Sequence, residues 1–142
     1  MLHYAKTRKK YASHNKSDRK KNHCAFCGDE SLESRLIEKT ETMIVIPNRV
    51  SYDIFEGRRV EHHLMVLPIR HAENIAEFTD QEKREMTDLL AKYELLGYNM
   101  YARGVGSISR SVKHQHTHLI KLTNALPHFS FYMRRPYLLI HK

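Results

Sequence analysis

The sequence predicts a single α+β domain, an antiparallel sheet with one long helix, and three observations predict it. Short β-branched runs separated by turn residues fill the stretch from Leu36 to Pro68. One segment, FTDQEKREMTDLLAKYELLGYN, carries a helix start, an apolar face and a helix stop. Beyond Gly97 the hydrophobic period changes from helical to two. A chain of 142 residues fits one domain and is long enough to bury a core.

The front of the chain comes first. Lys6, Arg8, Lys9, Lys10, Lys16, Arg19, Lys20 and Lys21 supply much of a formal net charge of +8. With neither apolar periodicity nor many large hydrophobes, residues 1–22 read as a flexible basic arm ahead of a domain over residues 23–142. Such an arm can bind nucleic acid by counterion release, or it can serve only to solubilise the chain. The arm lacks the apolar centre of a secretory signal, and no apolar run approaches the roughly 20 residues that cross a bilayer. These features predict a cytoplasmic protein with no membrane partner. A composition of 41% hydrophobic and 28% charged residues excludes the disordered and fibrous classes.

The runs Leu36 to Lys39 and Met43 to Ile46, with a polar break between them, predict a hairpin. A turn at Gly57 precedes the apolar run Leu64 to Leu67, which stops at Pro68 as a buried strand does. Thr79 and Glu82 have capping-box spacing, Met86, Leu89, Leu90, Tyr93 and Leu96 share one helical face, and Gly97 marks the stop. That stripe reads as core rather than a cofactor box, and Lys83 and Arg84 as a solvated face. Tyr98 to Ala102 then alternates as a strand, ending at the turn Gly104 to Gly106.

The last predicted strand runs from Ser111 to Leu122 and contains KHQHTHLIK. On a strand His114, His116 and His118 project to one side, about 7 Å apart. Three imidazoles in register are rare as mere half-exposed side chains of a polar strand. They suit metal binding, since His at i and i+2 can share an ion, or nucleophilic attack on phosphorus with neighbouring rings holding phosphate oxygens.

The run His114-Gln-His116-Thr-His118-Leu-Ile resembles the signature of the histidine triad (HIT) superfamily of nucleotide hydrolases and transferases, with Gln115 and Thr117 where that family usually has apolar residues. Three further stretches resemble it in order: His63-Leu-Met-Val-Leu-Pro-Ile-Arg-His71, Cys24-Ala-Phe-Cys27, and Ser111 just ahead of the triad. Together they span residues 24 to 122.

The resemblance implies a HIT-like fold, an antiparallel sheet with one long and one short helix, in a homodimer that binds a nucleotide or nucleotide conjugate. It implies His116 as the nucleophile that forms a covalent nucleotidyl-histidine, with His118 and Ser111 holding phosphate oxygens and helping the leaving group, and His63 lining the site. Arg103 falls near the position where many members have a phosphate-side Asn, and a guanidinium there favours a more anionic substrate. Arg110 likewise replaces the usual Gln or Gly.

Cys24 and Cys27 alone make neither a thioredoxin-like motif nor a complete tetrahedral site. The zinc-containing branch of the family implies the missing ligands, His71 and His114, in a structural Zn2+ site. His23 and His62 read as solvent-facing. The C-terminal HFSFYMRRPYLLIHK reads as a strand or helix packed on a partner subunit, or as aromatics beside Arg134 and Arg135 that stack on a base. A different class stays open throughout: a zinc-stabilised nucleic-acid-binding module that works through its basic arm. A third reading makes the histidine row a catalytic metal site.

Overall fold

The computed structural model describes residues 4, 7, 9, 10, 24–27, 31–124, 130–134 and 137–141. Strands β1 (Glu38–Lys39) and β2 (Met43–Pro47) form the expected hairpin, with Glu38 opposite Val45. β3 (Ile54–Phe55) turns into β4 (Arg58–Pro68) through Glu56 and Gly57, both at positive φ, 50° and 72°. That pair of left-handed residues is what a two-residue hairpin loop between right-twisted strands requires. Helix α1 (Asp80–Leu95) follows, then β5 (Tyr98–Ala102), β6 (Thr117–Leu122), and a separate two-stranded sheet of β7 (Ser130–Arg134) and β8 (Tyr137–His141). The main sheet has the order β1-β2-β4-β6-β5, with β3 on β4, and every pairing is antiparallel. The fold is therefore α+β as expected; among the described residues Thr7, Lys9 and Lys10 are also helical, and Glu33–Arg35 and Ile75–Glu77 are single 3₁₀ turns.

The helix begins where the capping box puts it. The Thr79 side chain accepts from the Glu82 amide at 3.2 Å, and the Glu82 carboxylate accepts from the Thr79 amide at 2.7 Å. Gly97 at φ 82° closes the other end. Met86, Leu89 and Tyr93 are buried and Leu90 is partly so, but Leu96, expected on the same face, is half-exposed because it forms the C-cap rather than a helical turn.

Side-chain alternation along β4 and β6 splits the core. Val45, Leu64, Val66 and Leu119 pack with Met86, Leu89 and Tyr93 beneath the helix. Ile44, Ile46, Met65 and Leu67 fill the other face together with Phe26, Leu32 and Leu36. Burial on both faces explains why β4 reads as an unbroken apolar run rather than an alternating one. His118 pairs with Met65 and His63 with Ile120, so these histidines stand on the face away from the helix.

The expected strand over residues 111–122 is corrected. Regular pairing begins only at Thr117, and residues 111–116 run as an irregular segment. Its hydrogen bonds go elsewhere. The Gln115 amide donates to the Ala72 carbonyl at 2.7 Å, and the Arg110 guanidinium donates to the carbonyls of Glu73, Val112 and Lys113 and to Gln115 Oε1. Arg110 is thus a strut of this segment. Most of the basic arm lies outside the described residues, but the Tyr4 amide and the Thr7 hydroxyl donate to the Asp53 carboxylate, at 2.8 and 3.1 Å. His23 and the side chains of the C-terminal stretch also lie outside them.

Candidate functional site

Two clusters meet at the start of β6. The first holds His116, His118, His63, Arg103 and Tyr52. Leaving the strand lets the histidine row fold inward: the His116 and His118 rings stand 5.0 Å apart, edge to face, rather than at strand spacing, and His114 turns away towards the cysteines. His116 Nδ1 donates to the His114 carbonyl at 2.8 Å, which fixes its tautomer and directs Nε2 outward as the lone-pair nitrogen. His116 is 9% exposed, and burial, ahead of the nearby Arg103 and Arg110 charges, pushes its pKa down. A ring that stays neutral keeps that lone pair.

His118 is buried, and its pKa is pushed down to about 2 by burial first, then by His116, His63 and Arg103. Its Nδ1 lies 2.9 Å from His63 Nε2, and its Nε2 lies 3.4 Å from the Arg103 guanidinium. Arg103 donates to the Tyr52 hydroxyl at 2.8 Å and sits over the rings of Tyr52 and Tyr101. The Tyr52 amide donates to His63 Nδ1 at 3.1 Å, and its ring packs 4.4 Å from that of His63. Ser111 is exposed in the irregular segment and, among the described contacts, touches none of these rings. His62 is exposed and stacks on Tyr98.

The second cluster is Cys24, Cys27, His71 and His114, whose ligand atoms all lie within 4.8 Å of one another. Cys24 Sγ and Cys27 Sγ lie 3.5 and 3.4 Å from His114 Nδ1, and Cys27 Sγ lies 3.5 Å from His71 Nδ1. A tetrahedral ion with ordinary sulfur and nitrogen bond lengths spans S···N edges of about 3.5 Å. The donor set fits. His114 Nε2 donates to the Pro68 carbonyl at 3.0 Å, leaving Nδ1 as the ligand nitrogen, an outer contact of the kind that orients metal-binding imidazoles. Burial, then the Cys24 sulfur, pushes the Cys27 thiol up to about 11, a cost that a bound cation reverses. The cluster could hold a metal ion. The Arg70 fork on Glu82, at 2.7 Å to each oxygen, ties the turn that carries His71 to the helix.

Phe26 joins the clusters, edge-on at 5.5 Å to both His114 and His116. Phe26 is part of the Cys24-Ala-Phe-Cys27 motif but is not read there as a site residue, and the sequence carries no signal for Tyr52. One lies between the two cysteines and the other in a loop, and only the folded chain brings them to the histidines.

This sheet, with its long helix and its row of imidazoles, has the HIT-like fold. The chain belongs to the family described as "protein similar to CwfJ C-terminal", whose model matches residues 11–126. No curated protein matches it. Among solved structures it resembles a HIT family hydrolase from Clostridium thermocellum (17% identity, TM-score 0.54, covering 75% of this chain and 96% of that one). It also resembles a hypothetical histidine triad nucleotide-binding protein from Sulfolobus tokodaii (20%, 0.54, covering 72% and 70%). A HIT family member from Bacillus subtilis is similar at 20% and 0.53, covering 72% and 75%. At these identities the likeness is one of fold.

Proposed function

We propose that the protein is a nucleotide hydrolase or nucleotidyl transferase that works at a nucleoside 5′-phosphate through a covalent intermediate on His116. The observation that carries this is the His116 Nδ1 bond to the His114 carbonyl, which leaves a neutral Nε2 as nucleophile. Nε2 attacks phosphorus, the bond to the leaving group breaks, and the electron pair departs with that group. Water or another acceptor then attacks phosphorus, the P–N bond breaks, and the acceptor's proton passes to solvent. Splitting one displacement into two lowers each barrier.

His118 and Arg103 receive phosphate oxygens, where donors placed in advance stabilise developing charge, and His63 lines the site behind His118. Ser111, exposed ahead of the triad, closes on the phosphate when substrate binds. Cys24, Cys27, His71 and His114 hold a structural Zn2+ that ties residues 24–27 to the catalytic segment; its four protein ligands leave no open position for substrate. In this reading the domain covers residues 23–142 of a cytoplasmic homodimer, and the basic arm over residues 1–22 meets it at Asp53. Among the described residues no helix is long and apolar enough to cross a membrane.

Replacing His116 with Ala abolishes turnover and spares nucleotide binding if this reading holds. The second reading, a nucleic-acid-binding module, draws on the net charge of +8. It predicts instead that deleting residues 1–21 abolishes RNA or DNA binding while the His116 variant binds normally.

A further inference from the structure

Asp53 holds the front of the chain. Its carboxylate accepts from the Tyr4 amide at 2.8 Å and from the Thr7 hydroxyl at 3.1 Å, contacts that join positions 49 and 46 residues apart. Asp53 is itself set by the hairpin of β3 and β4, since its carbonyl accepts from the Val60 amide at 3.0 Å. The residue before it is Tyr52, which is buried and packs its ring 4.4 Å from that of His63 and 5.6 Å from that of His118. The arm is therefore anchored one residue from the wall of the histidine site.

Thr7 is the member of this anchor that chemistry can change. It is half-buried against Asp53, whereas its helical neighbours Lys9 and Lys10 are exposed. In the sequence it stands in Lys6-Thr7-Arg8-Lys9-Lys10, a hydroxyl with cations on both sides. Protein kinases discriminate substrates by the charge pattern around the acceptor hydroxyl, and this pattern suits an enzyme with an acidic substrate groove. A phosphate on Thr7 removes the hydroxyl donor and sets nearly two negative charges against the Asp53 carboxylate. Repulsion opens the anchor, and the cations of the arm take the phosphate instead.

We propose that Thr7 is a phosphorylation site whose modification releases the basic arm from Asp53. The donor is ATP on a kinase that selects basic flanks. Thr7 Oγ1 bonds to the γ-phosphorus, the bond to the bridging oxygen breaks with its electron pair leaving on ADP, and the hydroxyl proton passes through the kinase to solvent. The proposal concerns where the arm lies and does not rest on the chemistry at His116.

Cys24 allows the full chain to be assembled by ligating a synthetic segment of residues 1–23 to the remainder. Two chains are made, with threonine or phosphothreonine at position 7 and nitrogen-15 in the Tyr4 amide, and both are refolded with Zn2+; the unmodified one controls for refolding. In that control the Tyr4 amide is expected to exchange with solvent at least about tenfold more slowly than in the free segment, and phosphothreonine brings it to within about twofold of the free segment. Asp53→Asn, which keeps an acceptor but loses the charge, narrows the difference between the two forms to below about threefold. Incubation of the wild-type full chain with ATP and purified kinases that select basic flanks is expected to place phosphate on Thr7, located by peptide mass spectrometry. A Tyr4 amide equally protected in the two forms, or a difference that Asp53→Asn leaves intact, overturns the release. Phosphate found only at other residues, or on none, overturns the site.

Discussion

Acidification tests the electrostatics of the site through His118. The unfolded chain protonates this residue near the ordinary 6.5, whereas the folded chain holds it neutral down to about 2. Between those values the unfolded state binds one more proton. Stability from this group is therefore complete above about pH 6.5 and falls as pH is lowered towards the folded value. Each pH unit inside that window costs about 1.4 kcal/mol, so moving from about pH 7.5 to about pH 5 removes about 2 kcal/mol through His118 alone. Other titrating groups contribute as well, and a His118→Gln variant cancels them. Urea unfolding of both proteins at both pH values gives two slopes. The variant is less stable at neutral pH, since it breaks the contact with His63, but its loss on acidification is smaller by about 2 kcal/mol. Equal losses in the two proteins would refute the reasoning.

Metal and core are tested in the same way. If the Cys24, Cys27, His71 and His114 cluster holds the proposed Zn2+, a strong chelator, or Cys24→Ser, lowers the midpoint of thermal unfolding, because binding energy at a closed site of two thiolates and two imidazoles is folding energy; calorimetry before and after zinc addition checks this. Leu119 is fully buried beneath the helix. Leu119→Ala therefore destabilises by about 3 kcal/mol in chemical denaturation, the lost transfer energy plus a cavity.

The helix, its two caps and the first hairpin were legible in the sequence, because capping boxes, glycine stops and β-branched runs are local devices. Met86, Leu89 and Tyr93 are buried as their spacing predicts. The residues of the cysteine-histidine cluster were legible only jointly, through resemblance, since Cys24 and His114 lie far apart in the chain and nothing local links them. Period two misled between Ser111 and His116. An alternating pattern suits a strand, but the Arg110 strut and the Gln115 to Ala72 bond take up the backbone groups that a strand would pair. Ala72 and Glu73, which receive Gln115 and Arg110, come from the turn after β4, a long-range event that alternation does not encode.

Peptide mass spectrometry after incubation with a panel of labelled nucleotides and acid-free quenching tests the central claim most directly. The account predicts a nucleotidyl adduct on the peptide containing His116, localised to that residue and absent in His116→Ala. An adduct on any other residue, or nucleotide turnover that persists in His116→Ala, contradicts it.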